Sequence, residues 1–233
     1  MAKVFQATHV GKVRHNNEDS LIVIEPGTFV VADGMGGQAA GEIASQMLVE
    51  TVKNFLSKTS APWNEKILSQ AIFLANKAIL NLARQNQEYQ GMGTTATILY
   101  LNGGQAYFAH VGDSRLYRLR NNFFKQITED HSYVETLVRS GELTPEQARV
   151  HPMKNVLTQA VGAIDEIYID AANFPVEFGD IFLLCTDGLT NMVDDETIAK
   201  ILQTAPNPAD ALIETALAAG GKDNVSVIVI FAD

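Results

Sequence analysis

Residues 30–37 read VVADGMGG: an apolar run that ends in an aspartate, with glycines at 34, 36 and 37. The grammar recurs at 181–188, IFLLCTDG, and in a looser form at 108–114, FAHVGDS. The runs are short, apolar and rich in β-branched residues, as in strands buried in a sheet. A carboxylate at the end of such a strand costs several kcal/mol unless it is paired or holds a cation. The strands and their terminal aspartates therefore have to be read together.

Outward from these stretches, strand-like runs arrive in blocks. FQATHV, SLIVIE and TFVVAD come first; TTATILYL, QAYFAHVG, SRLYRLRN and FFKQIT form a second block; IDAANFPV, DIFLLCTDG and NVSVIVIF form a third. The last is too apolar and β-branched for a sheet edge. Between the blocks lie two long amphipathic stretches, 41–58 and 64–86; in the second, Ile67, Ile72, Ala75, Ile79 and Leu82 share one helical face. DDETIAKILQT and NPADALIETALAAG predict a further helix pair, the second capped by Asn207 and stopped at Gly220-Gly221. A polar segment, 131–150, is helix-prone, with Thr144-Pro145-Glu146 as a helix start. Tyr107, Phe108, Tyr117, Phe123 and Phe124 alternate on strands and are expected in or beside the core. Helices paired between strand blocks predict sheets covered by helix layers, an α+β sandwich in one domain over residues 1–233.

The 233 residues are 46% hydrophobic and 19% charged, in keeping with one large core. The formal charge of −10 argues against a nucleic-acid partner, which needs a basic face. No run is long and apolar enough for a membrane span, and MAKVFQATH lacks the pattern of a secretory signal, so a cytoplasmic protein without membrane or nucleic-acid partners is expected, as a monomer. Cys185, the single cysteine, lies inside an apolar run and reads as a buried hydrophobe without a CxxxxxR pattern.

Asp33, Asp113 and Asp187 each follow a strand, and Asp223 precedes one. Asp33 has no Lys or Arg within ten residues on either side; Arg115 is near Asp113, and Lys222 is beside Asp223. Any one of them alone could be an ordinary turn aspartate. Four together suit a hard divalent cation such as Mg²⁺ or Mn²⁺, which takes oxygen ligands and keeps several waters. None of the five histidines falls in a zinc-type HxxH or HExxH spacing. Upstream, VRHNNEDS adds Glu18 and Asp19 with Arg14 close by. The arginine could pair with those acids, or it could clamp a phosphate through its two-pronged geometry. Cations plus an arginine are the charges that phosphoryl hydrolysis requires.

RHNNED, VADGMGGQAAGE, GMGTTAT, AHVGDSRLY, LCTDGLT and GGKDNVSVIVI occur in that order over nearly the whole chain. Together they resemble the metal-dependent protein serine/threonine phosphatases of type 2C, in their compact bacterial form. The resemblance implies a four-layer α-β-β-α sandwich, two central antiparallel sheets flanked by helix pairs, with a flap at about 132–155. It implies phosphorylated proteins as partners, with phosphoserine and phosphothreonine hydrolysed by direct attack of a hydroxide bridging two Mn²⁺ or Mg²⁺ ions, and a third, weaker ion. Asp33 would bridge the two ions and the Gly34 carbonyl would bind one of them. Asp187 and Asp223 would complete the other ion's shell, and Asp113 with Asp187 would hold the third. Glu18 and Asp19 would act through bound waters, Asn224 would support Asp223, and Arg14 would contact the phosphate. One departure stands out. The histidine that family members carry near the bridging aspartate, as a proton donor to the leaving oxygen, is replaced at its two usual places by Met35 and Gln38. That leaves a rival expectation: a catalytically weak or inactive module of the same fold that binds phosphoproteins. A metal-dependent hydrolase of small phosphate esters is a third.

Overall fold

The computed structural model describes residues 3–36 and 40–232. In chain order the elements are β1 (Lys3–His9), β2 (Asp19–Ile24), β3 (Thr28–Met35), α1 (Ala40–Ser57), α2 (Glu65–Gln85), β4 (Gly93–Thr94), β5 (Ala96–Asn102), β6 (Gln105–Val111), β7 (Arg115–Arg120) and β8 (Phe123–Gln126). There follow α3 (Tyr133–Arg139), α4 (Pro145–Arg149), β9 (Asp170–Pro175), β10 (Ile181–Cys185), α5 (Asp187–Thr190), α6 (Asp195–Thr204), α7 (Pro208–Ala218) and β11 (Val225–Phe231). One sheet runs β1-β11-β10-β7-β8; the other runs β2-β3-β5-β6-β9, with β4 pairing to β3. The strand pairs are antiparallel.

The continuous apolar runs are explained by the layers. In β3, Val30 and Ala32 pack under α1 and α2, while Phe29 and Val31 face the other sheet. In β11, Val225, Val227 and Val229 meet the helices α5–α7, while Ile228 and Ile230 face β3's sheet. Each central strand thus buries both faces, and every large apolar side chain so enclosed contributes roughly 1.5–3 kcal/mol. Three stacked cores make four layers, as expected, and β11 lies in the sheet interior between β1 and β10.

Local signals agree at most boundaries. The Asn64 side chain accepts the Ile67 N–H at the head of α2. Thr144 and Gln147 form a reciprocal capping box on α4, and Asn207 caps α7. One expectation needed correction and one is refined. Phe123 is 65% exposed, because Asn121 and Asn122, both at positive φ, turn the β7–β8 hairpin just before it. The polar 131–150 segment is two short helices, α3 and α4, closed at its base by a bridge between Ser132 and Leu157.

Candidate metal centre

Both aspartate-glycine pairs lie where the two sheets meet. Asp33 sits directly opposite Asp19 across the β2–β3 ladder, a like-charge pair that disfavours the sheet unless something offsets it. The Asp33 backbone is bracketed by the GMGTTAT stretch: its N–H donates to Thr95 Oγ1 at 2.8 Å, and its carbonyl accepts from Thr94 Oγ1 at 3.0 Å. The glycines that follow the aspartates answer to the backbone of other segments. A Cβ on Gly34 would stand 2.1 Å from the Gly41 carbonyl oxygen, and one on Gly188 would stand 1.9 Å from that of Asn224. Close main-chain approach, beyond the turn preference of Asp-Gly, demands glycine at both places.

Asp187 opens the single turn α5 beyond β10, a helical turn where the sequence reading had only a strand end, and Asp223 stands just ahead of β11. Asn224 ties this end together. Its backbone N–H donates to Asp223 Oδ1 (2.9 Å) and its Oδ1 accepts the Glu18 N–H (2.8 Å). Its Nδ2 donates to the carbonyls of Val10 and Asn16, both at 2.9 Å. One side chain thereby holds the whole 10–18 loop against Asp223. Arg14 Nη2 donates to Asp223 Oδ2 at 2.8 Å, so the ion pair forms across 209 residues of sequence and not with Glu18 or Asp19 beside it. Arg115 turns away from Asp113 to a bidentate pair with Asp130.

Asp19 carries the most informative environment. Its Oδ2 accepts from Thr186 Oγ1 (2.8 Å) and Ser226 Oγ (2.7 Å), both belonging to the opposite sheet's half, while its Oδ1 is buried with no hydrogen-bond partner among the described residues. A buried carboxylate oxygen without a donor is the kind of orphan that a cation or its water satisfies. Burial pushes the Asp19 carboxyl up to about 7; the Ser226 and Thr186 bonds oppose this and Asp187 and Asp223 add to it. Burial, then Asp19, Asp187, Asp113 and Asp223, hold Asp33 well above the usual carboxylate range. Asp113 is raised by burial and by Asp187 and Asp130, against Arg115. Asp187 is raised to about 6 by burial and Asp223, against Lys154, Arg115 and Asn191. These carboxylates raise one another because they share one place.

That place is a cleft of about 300 Å³ lined by Arg14, Glu18, Asp33, Asp113, Asp187 and Asp223, with Asn224, Thr95, Met35 and the glycines 34 and 36. Among its lining residues Arg14 is the one cation. Among the described residues, no three His, Cys, Asp or Glu form a cluster fit to hold an ion by themselves. The donor set fits a hard divalent ion that retains waters and takes a backbone carbonyl, not one enclosed by side chains alone. Gln38 lies outside the described residues, and Met35 in the cleft wall has no proton to donate. His131 does not line the cleft: its backbone bonds the Gly112 carbonyl and the Thr158 N–H, and its Nδ1 accepts the Gly112 N–H at 3.3 Å. Thr95, Asn155 and Leu157 also line the cleft and carried no motif-level signal beyond the threonines of GMGTTAT.

Comparison with known proteins supplies the lineage of this arrangement. The family described as Protein phosphatase 2C matches residues 8–219. The serine/threonine phosphatase stp of Listeria monocytogenes is 39% identical over 237 residues, covering 97% of this chain and 94% of that protein. Protein phosphatase PhpP of Streptococcus pneumoniae is 39% identical over 233 residues, covering 96% and 94%. The crystal structure of the Mycobacterium tuberculosis serine/threonine phosphatase PstP/Ppp superposes with a TM-score of 0.93 at 37% identity, covering 100% of this chain and 99% of that one. A structure of the PstP catalytic domain in complex with two manganese ions matches with a TM-score of 0.90 at 36% identity, covering 99% of each. The chain belongs to the protein phosphatase 2C family.

Proposed function

We propose that this protein is a metal-dependent phosphatase that removes phosphate from phosphoserine and phosphothreonine in proteins. The observation that carries the reading is the cleft itself: carboxylates from both sheets converge on it, opposed among its lining residues by Arg14 alone. The relatives named serine/threonine phosphatases, and the manganese-bound PstP structure, support the same reading. Two Mn²⁺ or Mg²⁺ ions would be held at Asp33, the Gly34 carbonyl, Asp187 and Asp223, with a third and weaker one at Asp113 and Asp187. When bound, they supply charge neutralisation and an activated water for direct attack on phosphorus.

The chain's own residues do the rest. Glu18 and Asp19 would accept from waters of the bound ions, and the Thr186 and Ser226 hydroxyls hold Asp19 Oδ2 while its buried Oδ1 keeps no partner among the described residues. Arg14, half-exposed at the rim, would take the substrate phosphate bidentately once its carboxylate partner is shared with an ion. Cys185 is no alternative nucleophile, since burial pushes its thiol up to about 12. Hydrolysis of a phosphothreonine peptide and an aryl phosphate, with Mn²⁺, Mg²⁺ or a chelator, tests the proposal. Metal-dependent release from both, lost in Asp187→Ala, is expected. Folded protein that binds Mn²⁺ yet turns over neither substrate would replace the enzyme with the binding module.

A further inference from the structure

A groove of about 260 Å³ runs beside the cleft, between α3–α4 on one side and β7, α5 and α6 on the other. Asp113, Asn155 and Asp187 line both the groove and the cleft, so the two spaces are continuous. Across the groove runs a short chain of hydrogen bonds. Lys154 Nζ donates to Asn191 Oδ1 at 2.7 Å, and Asn191 Nδ2 donates to Asp187 Oδ2 at 2.8 Å. The Asn191 backbone N–H also donates to the Asp187 carbonyl at 2.8 Å, closing the turn of α5. The polarity is fixed at both ends: an ammonium can only donate and a carboxylate can only accept, so the amide has one orientation that serves both. Among the described residues this is the one hydrogen bond that joins residues 133–156 to any part of the chain beyond 170. It leaves Asp187 Oδ1 without a protein partner among the described residues.

We propose that Asn191 is a positioning residue that couples the 132–157 segment to the ion site, by orienting the Asp187 carboxylate from one side of its amide and docking Lys154 from the other. This rests on the reading of Asp187 as an ion ligand. Coupling of this kind is reciprocal: whatever the docked segment adds to ion affinity, the ion adds to docking of the segment. Hydrogen-bonded partners of ligating carboxylates fix their orientation, and their loss typically weakens metal binding about 10–100-fold. Lys154 also brings a positive charge to the groove wall.

The test uses the full chain with Mn²⁺ as the probe and two readouts independent of turnover. Free Mn²⁺ is followed by electron paramagnetic resonance during titration, and amide exchange across 132–157 is followed with and without Mn²⁺. In the wild type, Mn²⁺ is expected to slow exchange in the segment. Asn191→Leu, with the same branched outline and neither donor nor acceptor, is expected to bind Mn²⁺ about 10–100-fold more weakly and to lose the Mn²⁺-dependent slowing. Lys154→Met loses the slowing too, while Lys154→Arg, which still donates, keeps it. Wild-type Mn²⁺ affinity and wild-type slowing in Asn191→Leu and Lys154→Met overturn the coupling. Asp187→Ala separates the two levels: if it weakens Mn²⁺ binding while Asn191→Leu does not, the link alone fails. If Asp187→Ala binds Mn²⁺ as the wild type does, the ion-ligand reading falls and the coupling falls with it.

Discussion

Asp33 is held in place by contacts to its backbone, not to its carboxylate. Thr94 and Thr95 bond its carbonyl and N–H, and the side chain faces Asp19, Asp113, Asp187 and Asp223. The residue is therefore costly to the folded chain and useful only with a cation. Two opposite outcomes follow for Asp33→Asn. Phosphatase activity with Mn²⁺ should fall by about 10³-fold or more, the several kcal/mol that an ion supplies to a phosphoryl transition state. In chelator, the same variant should unfold at a higher urea concentration than wild type, by about 1 kcal/mol, because a repelling charge has gone. Glycine at 188 is a second residue-scale constraint. Gly188→Ala drives a methyl into the Asn224 carbonyl, so a loss of about 1–3 kcal/mol or more is expected in denaturant titrations, with weakened Mn²⁺ binding as Asp187 and Asp223 are pushed apart.

At the scale of elements, the strands were legible because each central one buries two faces, which leaves continuous runs such as VVAD and NVSVIVIF. The helices were legible from their period and their caps. Phe123 was misread because alternation places a side chain on a face without saying that the strand is a sheet edge just past a two-asparagine turn. The strand-end aspartates that converge on the cleft were legible as a candidate ion site because their sequence neighbourhoods hold so little positive charge. Their partners were not. Asn224 to Val10, Thr186 to Asp19 and Lys154 to Asn191 join segments whose adjacency is set by the stacking of the sheets, and no local pattern encodes that. One such link fixes the loop before β10. Arg120 on β7 bonds Asp180 through Nε and Nη2, both at 2.6 Å, and also reaches the Pro175 carbonyl. Burial alone would raise the Asp180 carboxyl, but the Arg120 bonds, the Glu177 N–H and the guanidinium charge outweigh it and hold it below the usual range. A group held low stabilises the fold above its unfolded pKa and loses that contribution as pH falls through its folded value. Arg120→Met should thus cost about 2 kcal/mol at pH 7, moderated by the solvent that still reaches the guanidinium. The gap between variant and wild type in urea titrations should close below about pH 4.

For the whole molecule, the two sheets are joined by the apolar layer between them and, at one end, by Thr186 and Ser226 reaching Asp19. Ions held, as proposed, by carboxylates of both halves would bind the folded chain and not the unfolded one. Mn²⁺ at about 100 times its dissociation constant should therefore add about 2.7 kcal/mol to unfolding, read as a concentration-dependent rise in Tm that a chelator reverses. Both halves should melt in one transition, since neither sheet keeps its inner face covered without the other; two separated transitions would contradict the shared core.

The apolar layer between the sheets also acts as a gauge. Asp19, Asp33 and Asp113 ride on one sheet and Asp187 and Asp223 on the other, while Phe29, Val31, Phe182 and Ile228 fix the gap between them. An ion gripped from both sides has to match a spacing set by hydrocarbon contacts well away from it. Mg²⁺, with ligand distances of about 2.0–2.1 Å, and Ca²⁺, at about 2.3–2.6 Å, ask for different separations. Close-packed interiors resist such a change in width. If the proposed ligands hold the ion, discrimination by size is set by four side chains that never touch a metal.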